Sequence, residues 1–438
     1  MRSNKAPARS RRNTTGPDKA PMRSYVKAPP RPRGGLFRTV LPLVAMLPFA
    51  AIAACSGGDG SSSSNGGNGG GGSTTTNPND AWPVHPDTGL RVDDMGPVPA
   101  LPEWADNPAT DEKKELGRAL FADARLSGSG KTVCGNCHFP LTDFQSGGVT
   151  DAPDRSQPAA SPLLPRNTPS LNNIVYATML RWDGSHFTDL PDAMVLPLAE
   201  ANMNLAPGHP ASEVSVVDIP GAKTALKNKL TVEIPGYVPL FQQAFGQDIG
   251  ALSEDEIWRL AGKAMAVYIR IAVSRDSAFD KWNAGDDSAM GEDAIRGLGL
   301  FRGKAGCNLC HSGPLFTDFQ FHNIATSPPG QDGARADEGR YLVTQKEADR
   351  GAFLTPTLRS ASMTSPYLHD GSEASIAKVI ARKSSAATRA LDPNHDPALD
   401  ALPDLTDDEV TDIVAFIKAL KGAEIPTSEL NVAPNLPD

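Results

Sequence analysis

The sequence predicts a mainly α-helical chain of two tandem, related domains, and three observations predict it. A Cys-x-x-Cys-His signature occurs twice, at Cys134-Gly-Asn-Cys137-His138 and at Cys307-Asn-Leu-Cys310-His311. The residues flanking the two copies repeat as well, at a period of about 173 residues. Long segments carry apolar residues at helical spacing, and nothing between them reads as extensive strand. A length of 438 residues leaves room for two or more domains with sizeable cores.

The helices follow in chain order. Thr110 opens the first, from Asp111 to about Ala122, with Asp111 and Glu112 at the positive end of its dipole. Ser253 opens Glu254 to Val273, where Ile257, Leu260, Ala261, Ala264, Val267 and Ile271 share one face. Gly291 to Phe301 leads into the second signature. Thr406 opens Asp407 to Leu420, with Val410, Ile413, Val414 and Ile417 spaced as in the second helix. The flanking repeat pairs Leu116-Gly-Arg-Ala-Leu-Phe121 with Leu298-Gly-Leu-Phe301, and Pro140-Leu-Thr-Asp-Phe144 with Pro314-Leu-Phe-Thr-Asp-Phe319. Each half thus reads as a helix, a Cys-His loop, a Thr-Asp-Phe turn and a closing helix. With 40 Gly and 39 Pro, the connections are long loops.

The signature has a chemical reason. Two thiols one turn apart can add to the two vinyl groups of haem, and the adjacent histidine is then placed to ligate the iron. A lone copy also fits a zinc half-site or a redox dithiol. Here Cys55 is the only further cysteine, so no second pair completes a zinc site. Two covalent c-type haems follow, one in each of two cytochrome c-like domains that face each other. The attachment residues are Cys134, Cys137 and His138, and Cys307, Cys310 and His311.

The start of the chain reads as an address. Residues 1–38 hold eleven Lys or Arg and one acid, Asp18, and no charge occurs from Thr39 to Ala54. The run from Val40 to Ala54 is an apolar core closing on small residues, too short and too broken by Pro42 and Pro48 to span a membrane. Ile52-Ala53-Ala54-Cys55 resembles a bacterial lipobox, in which Cys55 is lipidated and becomes the new N-terminus; the alternative is ordinary signal cleavage beside an incidental cysteine. No Asp follows Cys55, so the anchor is expected in the outer membrane, on its periplasmic face. Met22 is an alternative start. Residues 56–80 are Gly, Ser, Asn and Thr almost throughout, a tether with a mean reach on the order of 25–30 Å. Beyond residue 54 the chain keeps 31 basic against 50 acidic residues, which argues against nucleic acid as a partner.

At these motifs the chain resembles the bacterial di-haem cytochrome c peroxidase family, which includes the MauG-like enzymes, over about residues 100–422. The resemblance rests on Leu116-Gly-Arg, both Cys-His signatures, Arg166-Asn-Thr-Pro-Ser-Leu171, Trp182-Asp-Gly184, Thr355-Pro-Thr-Leu-Arg359 and Thr364-Ser-Pro-Tyr-Leu-His-Asp-Gly371. It implies peroxide chemistry at the N-terminal haem, electron transfer at the C-terminal haem, His138 and His311 as proximal ligands, and Trp182 as a bridge between haems. The plain reading of Trp182 is a core indole, open to any ring of that size. The resemblance also implies a calcium ion at Asn167 and the carbonyls of Thr364 and Pro366, oxygen ligands that suit that ion; the plain reading is a turn-forming Asn and Pro.

The chain departs from the family at three places. No histidine occurs between Phe139 and Trp182, so the N-terminal haem lacks a histidine plug. The family's distal Gln and catalytic Glu fall, by ungapped count, on Asp192 and Asn202, a carboxylate and an amide exchanged. Peroxide cleavage needs a base that returns its proton to the leaving oxygen, which Asp192 can be, with Glu200 the candidate if the loop is shifted; the alternative is a pocket without peroxidase power. The sixth ligand of the C-terminal haem, Met or Tyr in the family, falls on Lys383. An amine can ligate iron when burial lowers its pKa, and otherwise Lys383 is solvated beside Arg382, with Met363 and His395 in reserve. His85, His186, His209 and His322 read as surface or loop residues, and His369 as a motif residue near the second haem.

The expected organisation is a signal segment (1–54), a tether (55–80), an N-terminal domain (81–280), a C-terminal domain (281–425) and a tail (426–438). The expected function is reduction of hydrogen peroxide with electrons from a small donor protein, a cytochrome c or a cupredoxin. The alternatives are a MauG-like oxidase that modifies a partner protein, and a plain di-haem electron carrier.

Overall fold

A computed structural model describes residues 95–138, 166–185, 189–200, 203, 205, 218–430 and 436–438. The signal segment, the tether, Cys55, the Pro140–Phe144 turn, Asn202, His85, His186 and His209 lie outside the described residues. The fold is mainly helical. Its helices of six residues or more are α1 (Asp111–Ala122), α2 (Leu190–Val195), α3 (Ile219–Asn228), α4 (Tyr237–Phe245), α5 (Glu254–Tyr268), α6 (Ala278–Asn283), α7 (Glu292–Arg302), α8 (Ile376–Ser384) and α9 (Asp407–Ala419). Two short strands, β1 (Phe321–His322) and β2 (Phe353–Leu354), pair antiparallel, with Phe321 opposite Leu354 and His322 opposite Phe353. Among the described residues no helix is long and apolar enough to cross a membrane.

The helix starts lie where side-chain chemistry sets them. The Thr110 hydroxyl accepts from the Lys113 amide at 3.2 Å. Ser253 with Glu256, and Thr406 with Glu409, form the same reciprocal capping box at the starts of α5 and α9. The second helix stops short of Val273: α5 passes into a 3₁₀ turn over Ile269–Ile271. There Asn173 diverts the chain. Its amide donates to the Ala272 carbonyl at 2.7 Å, and its Oδ1 accepts from the Ser274 amide at 3.1 Å.

Two crossings of one design organise the hydrophobic interior. α1 crosses α5 at Gly117, where a Cβ would overlap the Ala264 carbonyl, and α7 crosses α9 at Gly297, where a Cβ would overlap the Asp412 carbonyl. Glycine at both points lets two helix backbones touch. In each case a phenylalanine four residues on, Phe121 or Phe301, enters the core beneath the crossing. The repeat therefore aligns Gly117 with Gly297, whereas the sequence comparison paired Gly117 with Gly299. A Cβ on Gly299 meets nothing within 4 Å, so the Leu-Gly match was coincidental.

Phe121 and Tyr268 pack at 5.5 Å in the first core. Phe279, Phe301, Phe316 and Phe416 build the second, with Phe301–Phe416 at 5.1 Å and Phe279–Phe316 edge-on at 5.3 Å. The two ends of the described region pack on opposite cores. Met95 is buried in the second core, whereas Leu430 is buried in the first and the Asp438 carbonyl accepts from the Gly236 amide at 2.9 Å. Arg359 is fully buried, paired bidentately with Asp280 at 2.8 Å, and donates to the Pro314 carbonyl, tying the second Cys-His loop to α6.

Gly297→Ala should destabilise the protein by about 1–3 kcal/mol through overpacking, whereas Gly299→Ala in the same helix should be neutral or stabilise by up to about 1 kcal/mol. Chemical denaturation of the two variants checks this; equal effects would contradict the crossing.

Candidate functional site

Cys134–Cys137 forms one helical turn, closed by the His138 amide donating to the Cys134 carbonyl at 2.9 Å and braced by Asn136, whose Oδ1 accepts from the Val133 amide at 2.7 Å. Burial pushes the Cys134 thiol up to about 12 and the His138 imidazole down to about 4. His138 Nδ1 is buried without a hydrogen-bond partner, and the backbone at Pro169 is its polar neighbour.

The second turn, Cys307–Leu309, follows Gly306, whose φ of +56° reverses the chain into it. The His311 amide donates to the Cys307 carbonyl at 2.9 Å. Its ring Nδ1 lies 2.9 Å from the Phe316 carbonyl, so Nδ1 carries the proton and Nε2 keeps its lone pair. Burial pushes this imidazole, too, down to about 4. No disulfide joins Cys134, Cys137, Cys307 or Cys310. Each turn therefore offers two thiols one turn apart, outside any disulfide, beside a neutral imidazole, the donor set that a covalently attached haem needs.

Lys383, the residue reached by counting to the sixth ligand, lies at this second turn. Its Nζ donates to the Ala305 carbonyl at 3.2 Å and is 3.8 Å from Cys307 Sγ. It is half-buried rather than solvated. Of the reserves, Met363 is exposed. Both ring nitrogens of His395 are engaged, by the Asp392 carbonyl and by Asp400.

The two halves meet around Trp182. Its indole Nε1 donates to the Asn167 carbonyl at 2.8 Å, and its own carbonyl accepts from the Leu354 amide of β2 at 2.8 Å. Arg166 reaches both sides of the seam, pairing with Asp183 at 2.6 Å and bidentately with Asp337 at 2.6 and 2.8 Å. Burial raises the pKa of both carboxylates, but Arg166 outweighs it and holds them below the usual range. Arg340 donates to the Asp183 and Gly184 carbonyls and lies over the Phe321 ring, close against Gly184, whose φ is +66°. The Asn167 amide donates to the His369 carbonyl at 2.6 Å, and its side-chain nitrogen to the Pro366 carbonyl at 2.7 Å. Asn167 and Pro366 are thus hydrogen-bonded directly to each other, while the Thr364 hydroxyl and amide both turn to Ala361. His369 is buried and stacked on Phe353 with ring centroids 3.7 Å apart.

The candidate carboxylates differ in setting. Asp192, in the first turn of α2, has a side chain 38% exposed and lies 3.4 Å from Arg259, which also holds the capping residue Asp189. Glu200 is 15% exposed and paired with Arg181, the residue before Trp182. Glu200 is the enclosed one. Sequence reasoning also passed over His322, set aside as a loop residue. It is held between Asp318 and Asp396; burial alone would lower its pKa, but the two carboxylates push it up to about 12. A signal existed, since Asp318 belongs to the repeated Thr-Asp-Phe turn and His322 follows four residues later.

The family model for di-haem cytochrome c peroxidase matches residues 111–288. Cytochrome-c peroxidase IdrP1 of Denitromonas iodatirespirans is 34% identical over 357 residues, covering 75% of this chain and 87% of its own. Methylamine utilization protein MauG of Methylorubrum extorquens is 36% identical over 326 residues, covering 74% and 82%. Among solved structures, a MauG-like protein associated with microbial copper homeostasis matches with a TM-score of 0.62 at 26% identity, over 77% of this chain and 97% of that one.

The depressed pKa of His138 and His311 makes stability pH-dependent. In the unfolded chain these imidazoles take up protons below about 6.5, whereas in the fold they resist until about 4. Their contribution is therefore complete above pH 6.5 and is lost as pH falls from 6.5 towards 4. His322, raised instead, contributes fully below its unfolded value and loses nothing in that window. Denaturation midpoints measured between pH 7 and 4 should fall; a flat profile would contradict the burial of the two imidazoles.

Proposed function

Because this chain belongs to the di-haem cytochrome c peroxidase family, to which the MauG proteins also belong, we propose that it reduces hydrogen peroxide to water with electrons from a small donor protein, a cytochrome c or a cupredoxin. Each turnover takes two electrons and two protons and yields two waters. The observation that carries this reading is the pair of Cys-His turns, each presenting two thiols outside any disulfide and a neutral imidazole. Cys134, Cys137 and His138 hold the N-terminal haem of one cytochrome c-like domain, and Cys307, Cys310 and His311 the C-terminal haem of the other. When bound, the haems supply the one-electron and peroxide chemistry.

The protein's own residues orient and insulate. His311 is fixed in one tautomer by the Phe316 carbonyl, and both imidazoles stay neutral by burial, ready as ligands. Trp182, pinned at its indole and at its carbonyl, lies on the electron path between the haems. The proton carrier is a carboxylate, since an amide such as Asn202 has no titratable proton near neutral pH. Two candidates stand, Asp192 and Glu200, and the enclosed setting of Glu200 beside the tryptophan segment favours it over Asp192, which Arg259 holds at a more open face. Lys383, against the second haem turn, is the candidate sixth ligand there. Asn167 and the Thr364 and Pro366 carbonyls would supply the oxygen ligands for a calcium ion at the seam. A second reading, a MauG-like oxidase acting on a protein substrate, is favoured by the 36% identity to a MauG protein. Cys55 is read as the lipidated residue that anchors the protein to the outer membrane, facing the periplasm.

Steady-state oxidation of a reduced donor cytochrome by peroxide is the expected result; peroxide consumed without donor turnover would favour the oxidase, and inertness to peroxide would leave an electron carrier. Glu200→Gln should slow the peroxide reaction by ~10²–10⁴ with haem content intact, and Asp192→Asn by far less. The reverse order would return the role to Asp192. Cys55→Ser should release the protein from the membrane fraction, and wild-type protein already soluble in the periplasm would refute the anchor.

A further inference from the structure

His322 sits on β1 with both ring nitrogens against carboxylates. Its Nε2 is 2.9 Å from Asp318 Oδ2, and its Nδ1 is hydrogen-bonded to Asp396 Oδ2. A neutral imidazole has one N–H, so one of these contacts would set a lone pair against an anion. Both are satisfied only by the imidazolium. The cluster is enclosed, with the three side chains 5% (Asp318), 21% (His322) and 22% (Asp396) exposed. It is also wired to the second Cys-His turn. The Asp318 amide donates to the Cys310 carbonyl at 2.9 Å. Cys310 Sγ, an Asp318 carboxylate oxygen and a His322 ring nitrogen all lie within 4.8 Å of one another.

Cysteine, aspartate and histidine this close resemble a metal site, but the remaining valences are spent. Both His322 nitrogens already have carboxylate partners, and the Cys310 thiol is the attachment point for haem. The arrangement is a fixed charge cluster, one cation between two anions, with a net charge of −1 against the haem-bearing turn.

We propose that Asp318, His322 and Asp396 set the reduction potential of the C-terminal haem, with His322 as a positioning residue that acts through the field of the cluster and not as a ligand. This rests on the reading that Cys307 and Cys310 attach that haem. A nearby anion stabilises the oxidised, more positive centre, and a nearby cation the reduced one. Deleting the cation leaves −2 and lowers the potential; deleting one anion leaves zero and raises it. Asp396 suits the second change, because asparagine can turn its Oδ1 to the His322 Nδ1–H and keep the imidazolium, giving up only the bond that Asp396 Oδ1 accepts from the Ala398 amide at 2.9 Å.

The test is a spectroelectrochemical titration of the haem-loaded protein, with the N-terminal haem as internal control. His322→Gln should lower the C-terminal potential and Asp396→Asn should raise it. Each shift should be on the order of a tenfold change in the reduction equilibrium, ~59 mV for one electron, and the double variant should return towards wild type. A purely structural role moves both single variants the same way or neither, and either result would overturn the proposal. Intact mass separates the two levels of failure. If no haem is carried at Cys307 and Cys310, the attachment reading fails; if haem is carried and the potential stays put, the cluster has no such role. Should His322→Gln fail to load haem, the rise in Asp396→Asn alone decides.

Discussion

One guanidinium, that of Arg166, joins Asp183 on one side of the seam to Asp337 on the other, and the arrangement around Trp182 depends on it. A buried ion pair of this kind is weak evidence for stability, since desolvation consumes most of the attraction. Its effect is on geometry. With both carboxylates satisfied by a planar fork, the Trp-Asp-Gly turn and the loop carrying Asp337 have one mutual placement. Neighbouring residues then fall into register: Asn167 beside Arg166 reaches the Pro366 and His369 carbonyls, and Trp182 beside Asp183 extends the ladder of β2. Removing Arg166 would strand two buried anions, so the cost would fall first on the seam and only then on the two cores.

The two halves reuse one solution to one packing problem. A helix bearing a glycine crosses a closing helix that starts with a capping box, and a phenylalanine four residues beyond the glycine fills the space beneath. Glycine is required at Gly117 and Gly297 because backbone meets backbone there. The halves diverge in what surrounds the crossing. The first core receives the C-terminal residues and the second receives Met95, so neither half is closed by its own segment alone.

Much of this was legible in the sequence because it is local. The caps at Thr110, Ser253 and Thr406, the helices they open and the two Cys-His turns all depend on residues within four positions of one another. What was not legible depends on partners far along the chain. Gly299 matched the Leu-Gly pattern, yet the crossing uses Gly297, because only the partner α9 decides which face of α7 is approached. His322 looked like a loop histidine because Asp396, one of its two partners, lies 74 residues away. Counting reached Lys383 as the sixth-ligand position, but its contact with Cys307 depends on where α8 packs. The ungapped count to Asp192 gave no hint that Arg259, a turn into α5, would hold that carboxylate.

Desolvated imidazoles, paired Cys-x-x-Cys thiols and a pinned indole together suit the work of holding redox groups and keeping their ligands neutral. The account therefore stands most directly on electron movement through the seam. In protein with both haems bound, Trp182→Phe should slow transfer between them while haem content and both absorption spectra stay those of wild type. Transfer at the wild-type rate in that variant would contradict the account and leave the indole as core packing.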